Sequence, residues 1–129
     1  MIAEDEADIR NLVTMMAQAW GHHPIPFSTG TKAWEFLDGI ENGSYGGPMP
    51  EFALMDIRMP GPKGNEIAHR IRTIGPIQGI PIVLMTAFSL DDDERAEMLT
   101  NGADRIIAKP LPDFAQLQSI LNQVIADKS

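Results

Sequence analysis

Cysteine is missing from the chain altogether, which excludes disulfides and thiolate metal sites and points to a reducing, cytoplasmic setting. Basic residues are scarce: 10 Lys and Arg stand against 18 Asp and Glu, a formal net charge of −8. No basic stripe offsets that excess, so the chain does not read as a binder of nucleic-acid backbone. No apolar run approaches the roughly 20 residues that a membrane-spanning helix needs. Glu4-Asp5-Glu6 follow Met1-Ile2-Ala3 too soon for a signal peptide. Internal repeats and low-complexity tracts are absent as well. What remains is a chain of 129 residues, 43% hydrophobic and 22% charged, the length and composition of one globular domain.

The most informative stretch runs from Glu51 to Gly64. Phe52 to Met55 reads as a buried strand that stops at a single carboxylate, Asp56. Pro60, Gly61, Pro62 and Gly64 then forbid a regular element, so the chain turns there. A strand-ending Asp that merely caps a turn is the plain alternative for this stretch alone.

The remaining elements follow by period. Met1 to Ala3 reads as the end of a strand, short enough to suggest trimming. Ile9, Leu12, Val13, Met16 and Trp20 recur at helical spacing on a helix of about 13 residues from Ala7, closed by Gly21. Ile25 to Phe27 is a short piece whose proline suits an edge strand. The Ser28 to Thr31 run offers caps for a helix with Ala33, Phe36, Leu37 and Ile40 inward and Lys32, Glu35 and Asp38 outward. Residues 42–50 form a long surface loop. Asn65 is a candidate cap for a helix burying Ile67, Ala68, Ile71 and Ile74 and stopped by Gly75-Pro76. Gly79 to Thr86 is the clearest strand, apolar enough for both faces to be covered. Ser89 and Asp91 to Asp93 supply the cap and first-turn acids of a helix through Leu99. Asp104 to Ala108 is a strand ending at Lys109-Pro110. The last helix starts near Pro112-Asp113 with Phe114, Leu117, Ile120, Leu121, Val124 and Ile125 on one face.

Five strands alternating with five helices predict an α/β fold with a parallel sheet covered on both faces. In such sheets ligands bind beyond the carboxyl ends of the strands. Glu4 and Asp5, then Asp56, Thr86 and Lys109 all fall on that edge by topology. Three acids crowded together repel and raise one another's pKa unless a cation relieves them. Few side-chain ligands with several waters suit Mg²⁺. A carboxylate can also form an acyl phosphate, and Lys109 and Thr86 could then neutralise the phosphoryl oxygens.

Glu4-Asp5-Glu6, Asp56-Ile-Arg-Met-Pro with Gly64, Met85-Thr86-Ala87 and Lys109-Pro110, in this order and spacing, closely resemble the CheY-like receiver domain of bacterial two-component response regulators. The resemblance spans the whole chain. It implies a flavodoxin-like, doubly wound sheet of five strands in the order 2-1-3-4-5, forming one receiver domain over residues 1–129 with no effector domain following. It implies Asp56 as phosphoacceptor from a sensor histidine kinase or phosphotransfer protein, with Glu4, Asp5, Asp56 and the Arg58 carbonyl as Mg²⁺ ligands. Thr86 would be the switch hydroxyl and Lys109 the phosphate partner, ahead of a cis Pro110. The output would pass through the fourth-helix, fifth-strand, fifth-helix face to an effector domain or protein, with homodimerisation through that face an option. Such a domain is no enzyme beyond its own phosphorylation and dephosphorylation.

One departure stands out. Where the family often carries an aromatic three residues before the lysine, this chain has Ile106, so the state of Thr86 must be read by something other than that ring. Arg58 and Phe88, two residues beyond Asp56 and Thr86, would flank the phosphoryl group and favour slow self-dephosphorylation. Two rival readings stay open at this stage. One is a degenerate receiver that docks without phosphate; the other is a small Mg²⁺-dependent phosphohydrolase working through an aspartyl phosphate. The remaining candidates read as structural: His22-His23 as a solvated turn pair, Trp20 and Trp34 as packing residues, and the eight Met as gap fillers.

Overall fold

The computed structural model describes residues 1–128. The strands are β1 (Ile2–Ala3), β2 (Pro26–Phe27), β3 (Ala53–Asp56), β4 (Ile82–Thr86) and β5 (Arg105–Ala108). Alternating with them are α1 (Ala7–Ala19), α2 (Gly30–Glu41), α3 (Gly64–Ile71), α4 (Asp92–Thr100) and α5 (Phe114–Lys128). All strand pairs are parallel, in the order β2-β1-β3-β4-β5. The alternation of elements predicts the parallel sheet covered on both faces, and the strand order is the one that the family resemblance implies. Among the described residues no helix is long and apolar enough to cross a membrane.

The pleat of the central strands divides the core in two. Ala53 and Met55 of β3, Ile82 and Leu84 of β4 and Ile106 of β5 pack with α2 and α3 through Leu37, Ile40, Ile67 and Ile71. Leu54, Val83, Met85 and Ile107 face the opposite way, against α1 and α5 through Val13, Met16, Leu117 and Leu121. Both faces of β3 and β4 are therefore dry, which is why those strands read as unbroken apolar runs.

Several local expectations change. Leu12 is 46% exposed: Ile9, Val13, Met16 and Trp20 fill the contact of α1 with the sheet, and Leu12 lies to one side. The cap of α3 is Lys63, whose N–H is bonded by the Glu66 carboxylate at 3.1 Å, rather than Asn65, which lies inside the helix. That helix ends at Ile71, before Gly75-Pro76, which instead form a single 3₁₀ turn. Asp91 rather than Ser89 caps α4, accepting from the Glu94 N–H at 2.7 Å. Phe114 is 44% exposed and packs edge-on against Trp20. His22 and His23 are exposed.

Candidate functional site

β1, β3, β4 and β5 all end at the same edge, and each terminates in or just before a polar residue. Glu4 is fully buried, Asp56 is 6% exposed and Thr86 4% exposed, whereas Asp5 is open to solvent. One carboxylate oxygen from each of Glu4, Asp5 and Asp56 lies within 4.8 Å of the others.

Lys109 closes this cluster from the end of β5. Its Nζ donates to Asp56 Oδ2 at 3.0 Å and to Glu4 Oε1 at 3.1 Å, and its side chain is only 7% exposed. Glu6, exposed, contributes a fourth carboxylate 3.8 Å away. Burial alone would lower the Lys109 pKa; its hydrogen bonds to Asp56 and Glu4 and the two negative charges outweigh burial, and the net displacement is upward. Glu4 is also raised, chiefly because burial penalises its charge and secondarily because Asp56 repels it, against the lowering effect of Lys109. Glu4 Oε2 accepts no hydrogen bond although it lies 3.0 Å from Lys109 Nζ. One ammonium thus faces more carboxylate charge than it can neutralise.

Backbone contacts fix the acids. Arg10, one turn into α1, donates from Nη1 to the carbonyls of Glu4 (2.9 Å) and Asp5 (3.4 Å) and so ties down the turn that carries both acids. Sequence reasoning missed this residue, because an arginine on a solvent-facing helix position carries no spacing signal of its own. The Asp56 Oδ1 accepts from the Arg58 N–H at 3.3 Å, a local Asx turn. Gly64 N–H bonds the Ile57 carbonyl at 3.0 Å, and a Cβ at Gly64 would overlap the Asp56 carbonyl. Only glycine fits that approach.

The Thr86 hydroxyl is engaged by the connection that follows β4. Its Oγ accepts the Phe88 N–H at 3.0 Å and donates to the Phe88 carbonyl at 3.3 Å. The Arg58 guanidinium lies over the Phe88 ring, 3.8 Å from its centroid. The two residues that flank the acid and the hydroxyl are stacked on each other. Ile106 is buried beside Leu84, and the Lys109-Pro110 peptide is cis.

Residues 1–122 match the family model described as the response regulator receiver domain. The chain belongs to that family. Among curated relatives, the receiver domain is 25% identical over 127 residues to the phosphate regulon transcriptional regulatory protein PhoB of Escherichia coli, covering 96% of this chain and 52% of PhoB. It is likewise 25% identical to the response regulator Rre1 of Synechocystis, covering 98% of this chain and 51% of that protein. The receiver domain therefore spans about half the length of these relatives. Among solved structures, a CheY-like receiver domain protein from Methanospirillum hungatei superposes with a TM-score of 0.78 at 23% identity, over 98% of this chain and 92% of that one. The receiver domain of the sensor histidine kinase PA1611 from Pseudomonas aeruginosa, solved with a magnesium ion coordinated in its active-site cleft, gives a TM-score of 0.76 at 26% identity, over 97% and 94%.

Proposed function

We propose that Asp56 of this receiver domain is the phosphoacceptor of a two-component pathway, taking its phosphoryl group from a phosphohistidine on a sensor kinase or phosphotransfer protein. The observation that carries the reading is the Lys109 ammonium held between Asp56 and Glu4 beside the exposed Asp5. A buried strand-end acid with a fixed cation at 3.0 Å and a surplus of neighbouring acids is what phosphoryl transfer to a carboxylate needs.

The donor set fits Mg²⁺. Three carboxylate oxygens within 4.8 Å of one another leave negative charge that Lys109 does not balance. All the side-chain ligands are oxygen, and Asp5 opens to water, which suits a hard cation that keeps part of its hydration. Glu4, Asp5, Asp56 and the Arg58 carbonyl would hold the ion. When bound, it supplies positive charge for the phosphoryl oxygens.

The chain's own groups do the rest. Asp56 Oδ1 is the freer carboxylate oxygen, since its one bond is the long Arg58 N–H contact, whereas Oδ2 is paired with Lys109. As the oxygen–phosphorus bond forms, the donor's nitrogen–phosphorus bond breaks and the imidazole leaves with the electron pair. Lys109 moves its hydrogen bond from Oδ2 to a phosphoryl oxygen, and Thr86 turns its hydroxyl to another. The domain's catalysis is limited to its own phosphorylation and dephosphorylation. Phosphorylation would bias a two-state equilibrium of the α4-β5-α5 face, which passes the signal to an effector domain or protein. Homodimerisation through that face is part of the same proposal, and the pathway is cytoplasmic.

The test is incubation of the protein with acetyl phosphate and Mg²⁺, read by intact mass. A gain of one phosphoryl group in the wild type and none in Asp56→Asn supports the reading. No gain in the wild type, or an equal gain in Asp56→Asn, overturns it.

A further inference from the structure

The Thr86 hydroxyl has one proton to give, and it goes to the Phe88 carbonyl at 3.3 Å while the oxygen accepts the Phe88 N–H at 3.0 Å. Thr86 cannot donate to a phosphoryl oxygen on Asp56 without giving up the bond to that carbonyl. Phe88 is in turn covered by Arg58, whose guanidinium lies 3.8 Å from the ring centroid and makes no ion pair among the described residues. A cation over an aromatic face at an exposed position is a weak contact, and Phe88 is 49% exposed. The backbone groups that Thr86 would release can therefore turn to water at little cost.

Position is what couples these contacts. Arg58 and Phe88 lie two residues beyond the ends of neighbouring strands, where Asp56 pairs in register with Met85. Phe88 also stands in the connection to α4, a helix with no fully buried residue that rests on the core through the partly buried Met98, so α4 is less firmly anchored against a change at its entry than α2 or α3. At Ile106, by contrast, the side chain is buried next to Leu84.

From this geometry, and resting on the phosphoacceptor reading of Asp56, we infer that Phe88 is the state-reporting ring of this receiver. Withdrawal of the Thr86 hydroxyl from Phe88 toward the modified Asp56 opens the Arg58–Phe88 clasp. The opened clasp frees the β4–α4 connection, and the side chains of Arg58 and Phe88 act as positioning groups rather than as chemical participants.

The experiment uses the full chain with beryllofluoride and Mg²⁺, followed by NMR of the Arg58 side chain and the Ile57 amide. At rest, the Arg58 side-chain protons carry a ring-current shift relative to Phe88→Leu. On addition of beryllofluoride the wild type and Thr86→Ser move to the Phe88→Leu position. Thr86→Ala either keeps its ring shift under beryllofluoride or has already lost it at rest; both outcomes tie the clasp to the hydroxyl. Arg58 signals that stay put in the wild type while the Ile57 amide moves overturn the inference and leave the phosphoacceptor reading standing. So does a Thr86→Ala protein that holds the shift at rest and releases it fully. An Ile57 amide that fails to move in the wild type removes the phosphoacceptor reading and this inference together.

Discussion

Lys109 and Asp56 meet end to end, Nζ to Oδ2 at 3.0 Å, with side chains only 7% and 8% exposed. This near-dry pair is shared with Glu4, so the lysine is the common counter-charge of two buried acids. Lys109→Met strips that charge and leaves both carboxylates unpaired. Breaking such a pair from one side should cost roughly 2–4 kcal/mol at neutral pH. The raised Lys109 pKa means its contribution is fully present below the unfolded value and lost only as the pH climbs through the folded value above 10.5. The loss on substitution should instead shrink in acid, where Glu4 takes up a proton. Urea denaturation at neutral and mildly acidic pH measures both effects, and a loss independent of pH would contradict them.

Glu4→Gln has the opposite sign. The raised Glu4 pKa means the folded chain holds that proton more tightly than the unfolded chain. The carboxylate therefore costs stability above its folded pKa, and the cost disappears as the pH falls through the folded value to below the unfolded one. Glu4→Gln should melt higher than the wild type at neutral pH, with the gap closing in acid. Mg²⁺ should reverse the order, because an ion bound only by the folded form stabilises it and the amide is the poorer ligand. Mg²⁺ affinity of the wild type should fall as the pH drops through the raised Glu4 value. Thermal melts with and without Mg²⁺ test all three points.

The strand ends were legible because each apolar run stops at a polar residue, and parallel topology then carries Glu4, Asp5, Asp56, Thr86 and Lys109 to one edge. The helix faces were legible for the same reason of period, except where more apolar positions were available than the contact could hold, as at Leu12. What sequence could not give was the direction of side chains in the loops. Phe88 and Arg58 are each visible as neighbours of the site, but their stacking depends on loop paths that no spacing encodes. The Lys63–Glu66 cap of α3 was hidden because Asn65, the better capping residue by type, falls inside the helix.

Arg72 should matter for stability and not for phosphorylation. Its guanidinium bonds the carbonyls of Gly102, Gln78 and Ile80, and it pairs with Asp104 at 2.9 Å. Asp104 in turn accepts the Ile82 N–H at 2.8 Å. These contacts pin the starts of β4 and β5, the end of the sheet opposite Asp56. Lysine cannot reproduce a planar fork, so Arg72→Lys should cost about 1–2 kcal/mol and Arg72→Ala about 2–4 kcal/mol. Denaturant midpoints give the stability, and the extent of modification by acetyl phosphate should stay at the wild-type level in Arg72→Lys.

Gly64→Ala tests how tightly the loop after β3 holds Asp56. The added Cβ would overlap the Asp56 carbonyl oxygen and press on the Ile57 Cα. Both are main-chain atoms, so no side chain can swing aside and the peptide after Asp56 has to move. The Gly64 N–H bond to Ile57 moves with it. A cost of about 2–3 kcal/mol follows from that overpacking, and a misplaced acceptor should slow modification by acetyl phosphate by roughly tenfold or more. Gly75→Ala is the matched control, since a Cβ there meets nothing within 4 Å; it should shift stability by no more than about 0.5 kcal/mol. If Gly64→Ala is as stable and as readily phosphorylated as Gly75→Ala, the loop does not position Asp56 through this contact.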